Sequence, residues 1–269
     1  MAITTFIPEV WAARLQEHYR RSLVFGNLVN RNYEGEIAQY GDTVHINSLE
    51  DVTVKKYTPN TNIDDPEQLT TVEQILLIDH GMYYNFYVDD VDAVQARGDL
   101  MDAAMRNAAV KLAEDTEDFI VEKLTTAEGV IALSGTLSND TVYGEIVKIK
   151  TEMDKANVPR EGRHLVVTPD VEGYLLQNNL VISVNGQTTT NDLTGGVVGR
   201  VAGFTVYVSN ALTDKMLAFN TDSVTFANQL TKTEAYRPEK KFADGVKGLN
   251  LCGAKVTRPE SVVVYTMGE

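Results

Sequence analysis

The period of the hydrophobic pattern changes several times along the chain, and its first segment has the period of a helix. Trp11, Leu15 and Tyr19 recur every four residues, which places them on one face of a helix from Pro8 to about Val24. A proline suits the first turn of a helix, where its missing N–H needs no partner. The other faces are polar and carry Arg14. The pattern fits a helix docked on its own domain and also an arm that reaches a second subunit.

Residues 42–57 change to the period of a strand. Apolar and polar side chains alternate through Val44–Ile46 and again through Val52–Val54, with turn-forming residues at 48–51 between them. Alternation of this kind is typical of half-buried strands joined by a tight turn. The pattern predicts a hairpin-like ribbon.

A long loop and a second set of strands follow the ribbon. Residues 58–67 contain two prolines and almost no apolar side chain, which predicts an exposed loop. Strand-like alternation then returns through residues 72–88. Because so few of these residues could form a core of their own, we predict an extended two-stranded arm rather than a compact domain.

The strongest single element is a helix predicted from about Val91 to Leu124. Alanines are frequent there and no proline interrupts the segment. At 1.5 Å per residue, a run of about 30 residues extends roughly 45 Å, which is long for a globular protein. We call this element the spine helix. Its apolar residues at helical spacing include Met101, Met105, Ala108, Leu112 and Phe119.

Shorter elements of both types follow the spine helix. Residues 146–156 have the pattern of an amphipathic helix, and residues 163–168 that of a buried strand. Thr168 and Pro169 suit the cap and the first turn of a short helix that ends at 178–179.

The C-terminal part of the chain is predicted to be mostly β-structure. Residues 201–212 predict a strand followed by a turn, and alternation continues to Val264 through Phe242 and Val246. Strands, then helices, then strands again favour an α+β fold.

Composition narrows the class of protein. The chain has 269 residues, 43% of them hydrophobic and 23% charged, which is typical of a folded globular protein. No apolar run approaches the ~18 residues of a membrane helix, and the first residues lack the features of a secretory signal. A single cysteine, Cys252, excludes an internal disulfide and a multi-cysteine metal site. We therefore expect a protein that works in the reducing cytoplasm where it is made.

The charge bears on partners. With 24 basic and 38 acidic residues the net charge is −14, and an acidic surface repels phosphates, so specific DNA binding is not expected. The charge is also unevenly spread. Residues 60–128 hold 16 acidic and 4 basic side chains, whereas residues 232–258 hold 7 basic and 3 acidic. This asymmetry fits differently solvated faces, and also a contact between the acidic part of one copy and the basic part of another.

A search for catalytic or metal-binding patterns gives none that is specific. The four histidines are far apart, and Cys252 lies in a strand pattern typical of a buried thiol. The glycine-rich residues 195–204 lack the Lys-Ser/Thr ending of a phosphate-binding loop and are explained by turns. We therefore predict no catalytic residue, no metal and no cofactor.

Five phrases of the chain resemble the major capsid proteins of tailed bacteriophages. They span nearly the whole sequence in the expected order, which makes the resemblance more specific than any one of them. The phrases are FIPEVWAARL at 6–15, YEGEIAQYGDTVHIN at 33–47, NFYVDDVDAVQARGDLMDAAM at 85–105, RHLVVTPDVEGYLL at 163–176 and RVAGFTVYVSNAL at 200–212.

The resemblance implies a fold and its division into parts. Residues 1–35 would be an N-terminal arm, 36–92 an extended β-hairpin loop with its base, and 93–135 the spine helix of a peripheral domain. Residues 136–230 would be an axial domain, and 231–269 the strands that return to the peripheral domain. The function implied is structural: self-assembly into the icosahedral head shell around double-stranded DNA.

The resemblance also implies partners and a location. The protein would form hexamers and pentamers with itself. Scaffolding would come from a separate protein or be dispensable, and the other partners would be a portal protein and, in some phages, decoration proteins. It would enclose DNA without reading its sequence, would be part of the virion capsid, and would assemble in the host cytoplasm without a membrane. The candidate contacts between subunits are Trp11, Arg14, Lys55, Lys56, Asp64, Asp65, Tyr83, Tyr84, Arg237, Lys240 and Lys241.

Some members of that family join neighbouring subunits by an isopeptide bond between a loop lysine and an asparagine, helped by a glutamate. Lys55 and Lys56 lie in the matching loop, but no asparagine or glutamate of this chain matches the motif. We therefore expect no crosslink, and a single band at the 29.7 kDa of one chain when shells are boiled in detergent.

Two other functions stay open at this point. An encapsulin-type cellular compartment shares the fold but encloses enzymes, so a cargo-enzyme gene beside this one would favour it over a phage head. A metal-dependent enzyme using Asp89, Asp90 and Asp92 belongs to another class. That cluster lacks the glycine and distal glutamate of a calcium loop, and a capped start to the spine helix also explains it.

Overall fold

The computed structural model describes residues 15, 18–19, 23–33, 41, 43–49, 54, 56–57, 59, 62, 71–89, 100–178, 197–239 and 242–268. Their helices are α1 (Phe25–Leu28), α2 (Leu100–Thr126), α3 (Val142–Lys155) and α4 (Pro169–Gln177). Their strands are β1 (Thr43–Leu49), β2 (Thr71–Leu77), β3 (His80–Asp89), β4 (Ile131–Gly135), β5 (Arg163–Val167), β6 (Val197–Val201), β7 (Phe204–Val208), β8 (Lys215–Asn220), β9 (Val224–Tyr236), β10 (Ala243–Val256) and β11 (Val262–Met267). Short 3-10 turns precede β9 and β11.

The central strands of a six-stranded mixed sheet are buried on both faces. Its strand order is β4-β11-β8-β5-β7-β6, with β4 parallel to β11 and β5 parallel to β7. Strand β5 is almost continuously apolar because both of its faces are covered. Leu165 and Val167 pack under α3 and α4, and Val166 faces the C-terminal half of α2. A strand that is covered on both faces has no polar side to show.

The helices over this sheet follow the predicted pattern with one correction. In α3, Val142, Ile146, Ile149 and Met153 all point into the core, so the helix begins earlier than the predicted residue 146. Helix α4 begins at Pro169 and ends at Gln177 as predicted. Its predicted cap is wrong, however, because the Thr168 hydroxyl makes no capping hydrogen bond and is buried without a partner among the described residues.

The predicted strand at 201–212 is in fact half of a hairpin. Strands β6 and β7 are antiparallel neighbours joined by a two-residue turn. Ala202 and Gly203 both have positive φ, at 50° and 92°. This is the conformation that two-residue hairpins need, because its twist matches that of the strands.

The second sheet has three strands in the order β3-β10-β9, and the spine helix α2 lies against it. Tyr84 and Val246 pack against Met105 and Ala109 of α2, confirming the predicted apolar face of that helix. Helix α2 has 27 residues, or about 40 Å at 1.5 Å per residue. The predicted start of the helix at Val91 lies outside the described residues.

Strands β1 and β2 form a separate two-stranded ribbon. The predicted turn at 48–51 is wrong at its start, since Ser48 pairs with Val72 and Leu49 with Thr71. The ribbon therefore pairs residues 43–49 with 71–77, across the long loop, as the predicted two-stranded arm requires. Alternation located the strands, but it carried no information on which of two later segments would be the partner.

Candidate assembly surfaces

The ribbon has one buried and one exposed face. Val44, Ile46 and Leu76 are buried against Ala227 of β9 and Leu251 of β10. Gly253 of β10 allows this close approach, since a Cβ atom there would lie 2.4 Å from the Leu77 carbonyl oxygen. One face of the ribbon is therefore fixed to the three-stranded sheet.

The exposed face of the ribbon is partly apolar. Ile75 and Leu77 are 47% and 46% exposed, and they lie opposite His45 and Thr43 on β1. His45 also contacts the carboxylate of Glu73 on the same face. Two branched side chains thus remain about half exposed to solvent on this face of the ribbon. A surface with this character is suited to contact with another protein.

The base of the ribbon is tied to the spine helix by charge and stacking. Nε2 of His80 lies 2.6 Å from a carboxylate oxygen of Asp115, and the His80 ring stacks on Phe119 with centroids 4.3 Å apart. Lys123 lies 3.3 Å from the Asp79 carboxylate. These contacts set where the ribbon leaves the body of the protein.

The N-terminal segment is fastened to the spine helix by one buried carboxylate. Glu117 accepts hydrogen bonds from the backbone N–H groups of Val24, Phe25 and Gly26 at 3.1, 2.9 and 3.1 Å. These are N–H groups at the start of α1 that have no partner within the helix. Burial raises the pKa of Glu117 to about 7, although the three backbone hydrogen bonds lower it.

A second polar contact supports the same attachment. Tyr19 donates a hydrogen bond to Thr116 (3.0 Å) and accepts one from Asn228 of β9 (2.8 Å). Burial raises the pKa of Tyr19, so its hydroxyl stays protonated. The N-terminal segment, the spine helix and β9 are thereby joined. Sequence reasoning missed Glu117, because no local pattern separates it from the other carboxylates of the helix.

The outer face of the three-stranded sheet carries aromatic side chains. Tyr83 is 76% exposed, whereas Tyr84 lies in the core and hydrogen-bonds Thr233 at 3.0 Å. A groove of about 290 Å³ runs beside them and includes the Lys247–Glu234 ion pair of 2.9 Å. Both tyrosines were predicted to be contacts between subunits. Because neighbouring residues of a strand point to opposite faces, only Tyr83 lies on the surface.

The other candidate contact residues are only partly described. Lys56 is exposed, and Arg237 is 61% exposed with its guanidinium 4.0 Å from the Asp244 carboxylate. Trp11, Arg14, Lys55, Asp64, Asp65, Lys240 and Lys241 lie outside the described residues.

The residues considered for chemistry do not gather into a site. Among the residues that the structure describes, no three histidine, cysteine or carboxylate side chains are placed to share a metal ion. Asp89 ends β3, and Asp90 and Asp92 lie outside the described residues. Cys252 is buried as predicted, and burial raises its pKa to about 12. None of the described helices is long and apolar enough to span a membrane.

Comparison with known proteins identifies the family. The chain matches the family described as Phage capsid protein over residues 72–265. The comparison with curated proteins gives no match. Among solved structures, one of Mycobacterium phage Che8 is 32% identical, with a TM-score of 0.72 and 90% of each chain covered. The capsid of cyanophage P-SCSP1u is 17% identical, with a TM-score of 0.68 over 92% of this chain and 88% of the other.

A virus-like particle from Pyrococcus furiosus has the same fold at lower identity. It is 13% identical, with a TM-score of 0.63 over 94% of this chain and 96% of the other. At that identity the likeness concerns the fold alone. The family match over residues 72–265 and the 32% identity to the Che8 chain show more than a shared fold, because they are likenesses of sequence over most of the chain. The chain belongs to the phage capsid protein family, and it is a structural protein of the virion capsid rather than an enzyme.

Proposed function

We propose that copies of this chain form the closed icosahedral head shell of a tailed phage, in hexamers and pentamers, around double-stranded DNA. The observation that carries the proposal is the half-covered ribbon. Its inner face is fixed to the body of the chain, while Ile75 and Leu77 stay in solvent. Because each side chain is already about half covered, burying the rest against a neighbour stabilises a contact by roughly 1 kcal/mol per side chain, repeated for every copy in the shell.

The experiment compares adjacent residues of one strand. The double variant Ile75→Ser, Leu77→Ser changes only the exposed face, so the subunit should fold with unchanged stability but form few shells in electron micrographs. Leu76→Ala is the matched control, because Leu76 is fully buried. It should lower the free energy of unfolding of the subunit by about 2–5 kcal/mol. Normal shells from the double variant would contradict the proposal.

Charge supports a second contact between copies. The sequence around Asp64 and Asp65 is acidic, and the segment that carries Arg237, Lys240 and Lys241 is basic. We assign these residues to opposite sides of one contact, where complementary charge sets register and speeds encounter more than it raises affinity. Reversing the charges of Asp64 and Asp65 should slow assembly, and reversing those of Lys240 and Lys241 as well should restore it. If the second charge reversal does not restore the assembly rate, the two segments do not face each other in one contact.

The parts proposed for the arm, loop, peripheral and axial domains are those implied by the resemblance, with boundaries near residues 35, 92, 135 and 230. Scaffolding and portal proteins act as separate chains in this proposal, and assembly takes place in the host cytoplasm. The net charge of −14 favours holding DNA by enclosure rather than by adhesion. Once filled shells are broken open, they should therefore release their DNA at low as well as at high salt.

A further inference from the structure

A small basic pocket lies at the turn of the β6–β7 hairpin. Its volume is about 180 Å³, and it is lined by Lys150, Arg160, Arg163, Ala202, Gly203 and Phe204. Three cations thus meet at one place in a chain whose net charge is −14. The carboxylate beside them is that of Asp154, 2.8 Å from the Arg163 guanidinium. Three positive charges and one negative charge leave an excess of two positive charges.

Arg163 is part of the scaffold of the pocket. Its side chain is only 3% exposed, and its Nε donates to the Pro159 carbonyl at 2.9 Å. Asn220 holds the same loop by donating to the Glu161 carbonyl at 2.7 Å. The backbone of the loop is therefore fixed on both sides of Arg160, which places the start of this exposed side chain beside the pocket.

Lys150 and Arg160 have unused binding capacity. Neither makes a hydrogen bond or ion pair with another described residue, and the Lys150 side chain is only partly exposed. Their charge is nevertheless felt locally: the pKa of Asp154 is lowered first by the hydrogen bond from Arg163 and further by the charges of Arg160 and Lys150. Arg160 is exposed, whereas Lys150 is a part-buried cation with no hydrogen bond or ion pair to another described residue, and such a cation favours an anion beside it.

We propose that this pocket binds a carboxylate side chain of a second copy of the chain in the assembled shell. The inference rests on the proposed function, because it needs neighbouring copies. Each copy carries 38 carboxylates against 24 basic side chains, so a neighbouring copy is a predominantly acidic partner that complements the charge of the pocket. The contact joins a pocket on one copy to a different surface of the next, which is the head-to-tail kind that closes into rings.

The test uses a carbodiimide, which joins a lysine amine to a carboxylate only when the two are in contact. Shells are assembled from a mixture of isotope-labelled and unlabelled chains, treated, digested and analysed by mass spectrometry. We expect Lys150 to be joined to an acidic residue of a chain with the other label in shells, and not in isolated subunits. Links from Lys150 to Asp154 of its own chain only, or no link in shells, would overturn the proposal.

DNA phosphate is the other anion that could fill the pocket. If Lys150 is shielded from acetylation in DNA-filled heads but fully reactive in empty shells, the ligand is phosphate and the carboxylate assignment is wrong. Equal shielding in both is the expected result. If the wild-type chain forms no shell at all, the proposed function fails instead, so the two failures are distinguishable.

A pair of matched double variants gives an independent measure. Lys150→Gln with Arg160→Gln should raise the subunit concentration needed for assembly roughly tenfold. Lys148→Gln with Lys155→Gln is the control, since it removes the same charge from exposed ends of ion pairs on α3 that contribute little. Circular dichroism should show all four side chains to be dispensable for folding. Equal assembly by the two double variants would contradict the proposal.

Discussion

The six-stranded sheet and the ribbon differ in how much of their apolar surface the chain covers by itself. The sheet lies between two helices on one face and the spine helix with β9 and β10 on the other, so Leu165, Val166 and Val167 are all fully buried. The ribbon has cover on one face only, and Ile75 and Leu77 remain exposed. The chain itself covers the central strands of the sheet on both faces, whereas the proposed shell would cover the second face of the ribbon with a neighbouring copy.

The largest effect should come from a cavity in the sheet. Phe219 of β8 is fully buried and stacks near Phe25, with ring centroids 6.1 Å apart. Phe219→Ala should lower the free energy of unfolding by about 3–5 kcal/mol, measured by urea denaturation of the subunit. Leu249→Ala on the outer face of β10 is the control and should cost little. Equal costs would mean that the core of the six-stranded sheet contributes no more to stability than a largely exposed site on the other sheet.

The attachment of the N-terminal segment should depend on pH through Glu117. Its pKa in the folded chain, about 7, lies above the 4.5 of an unfolded chain, so the folded state binds more protons between these values. The free energy of unfolding should therefore decrease as pH rises from 4.5 through 7, by about 2–3 kcal/mol.

Urea titrations at several pH values measure this dependence. Glu117→Gln should abolish it, since the amide does not titrate, and should speed amide exchange at Val24, Phe25 and Gly26. Glu122→Gln, on the exposed side of the same helix, should leave the pH dependence in place. A pH slope that survives Glu117→Gln would assign the proton to another group.

The packing of the ribbon against β10 should be sensitive to a single methyl group added at Gly253. Gly253→Ala would place a Cβ atom 2.4 Å from the Leu77 carbonyl oxygen, and backbone on both sides cannot move far. Overpacking of this kind costs about 1–3 kcal/mol. Amide exchange in β1 and β2 should speed up, while exchange in the six-stranded sheet stays slow. Gly144→Ala is the control, because its Cβ would meet open space on helix α3 and should stabilise it.

Sequence reasoning recovered the parts of the fold with strong local periods. The spine helix, α3, α4 and β5 follow from spacing alone, and the buried Cys252 follows from its strand context. It failed where partners are distant in sequence. Nothing local shows that 43–49 pairs with 71–77, that Ala202 takes a positive φ, or that Thr168 makes no cap.

The candidate surfaces divide in the same way. Tyr83 is exposed as a contact residue should be, but Tyr84 beside it is in the core. Glu117 and the cluster around Arg163 were invisible because their partners lie on other elements: the three amides lie some 90 residues away from Glu117 in sequence. Side-chain periodicity predicts which face is buried, whereas a hydrogen-bonded site depends on tertiary contacts.

The smallest effect, and the one that separates the two regions most cleanly, should come from His164 in the six-stranded sheet. Its Nε2 lies 2.9 Å from the Thr221 hydroxyl and its Nδ1 is buried without a described partner.

Burial lowers the pKa of His164, so the unfolded chain takes up the proton first as pH falls through about 6.5. Stability from this group is present above that pH and is lost below it, the opposite sign to Glu117. Amide exchange measured between pH 5 and 7, once corrected for the intrinsic exchange rate at each pH, should therefore show protection that falls in β5 toward acid and in residues 24–26 toward neutral pH. His164→Gln should remove the trend in β5 and leave the trend in residues 24–26. His45→Gln, on the exposed ribbon, should leave both trends in place. If β5 and residues 24–26 follow one common trend, the two regions do not open independently.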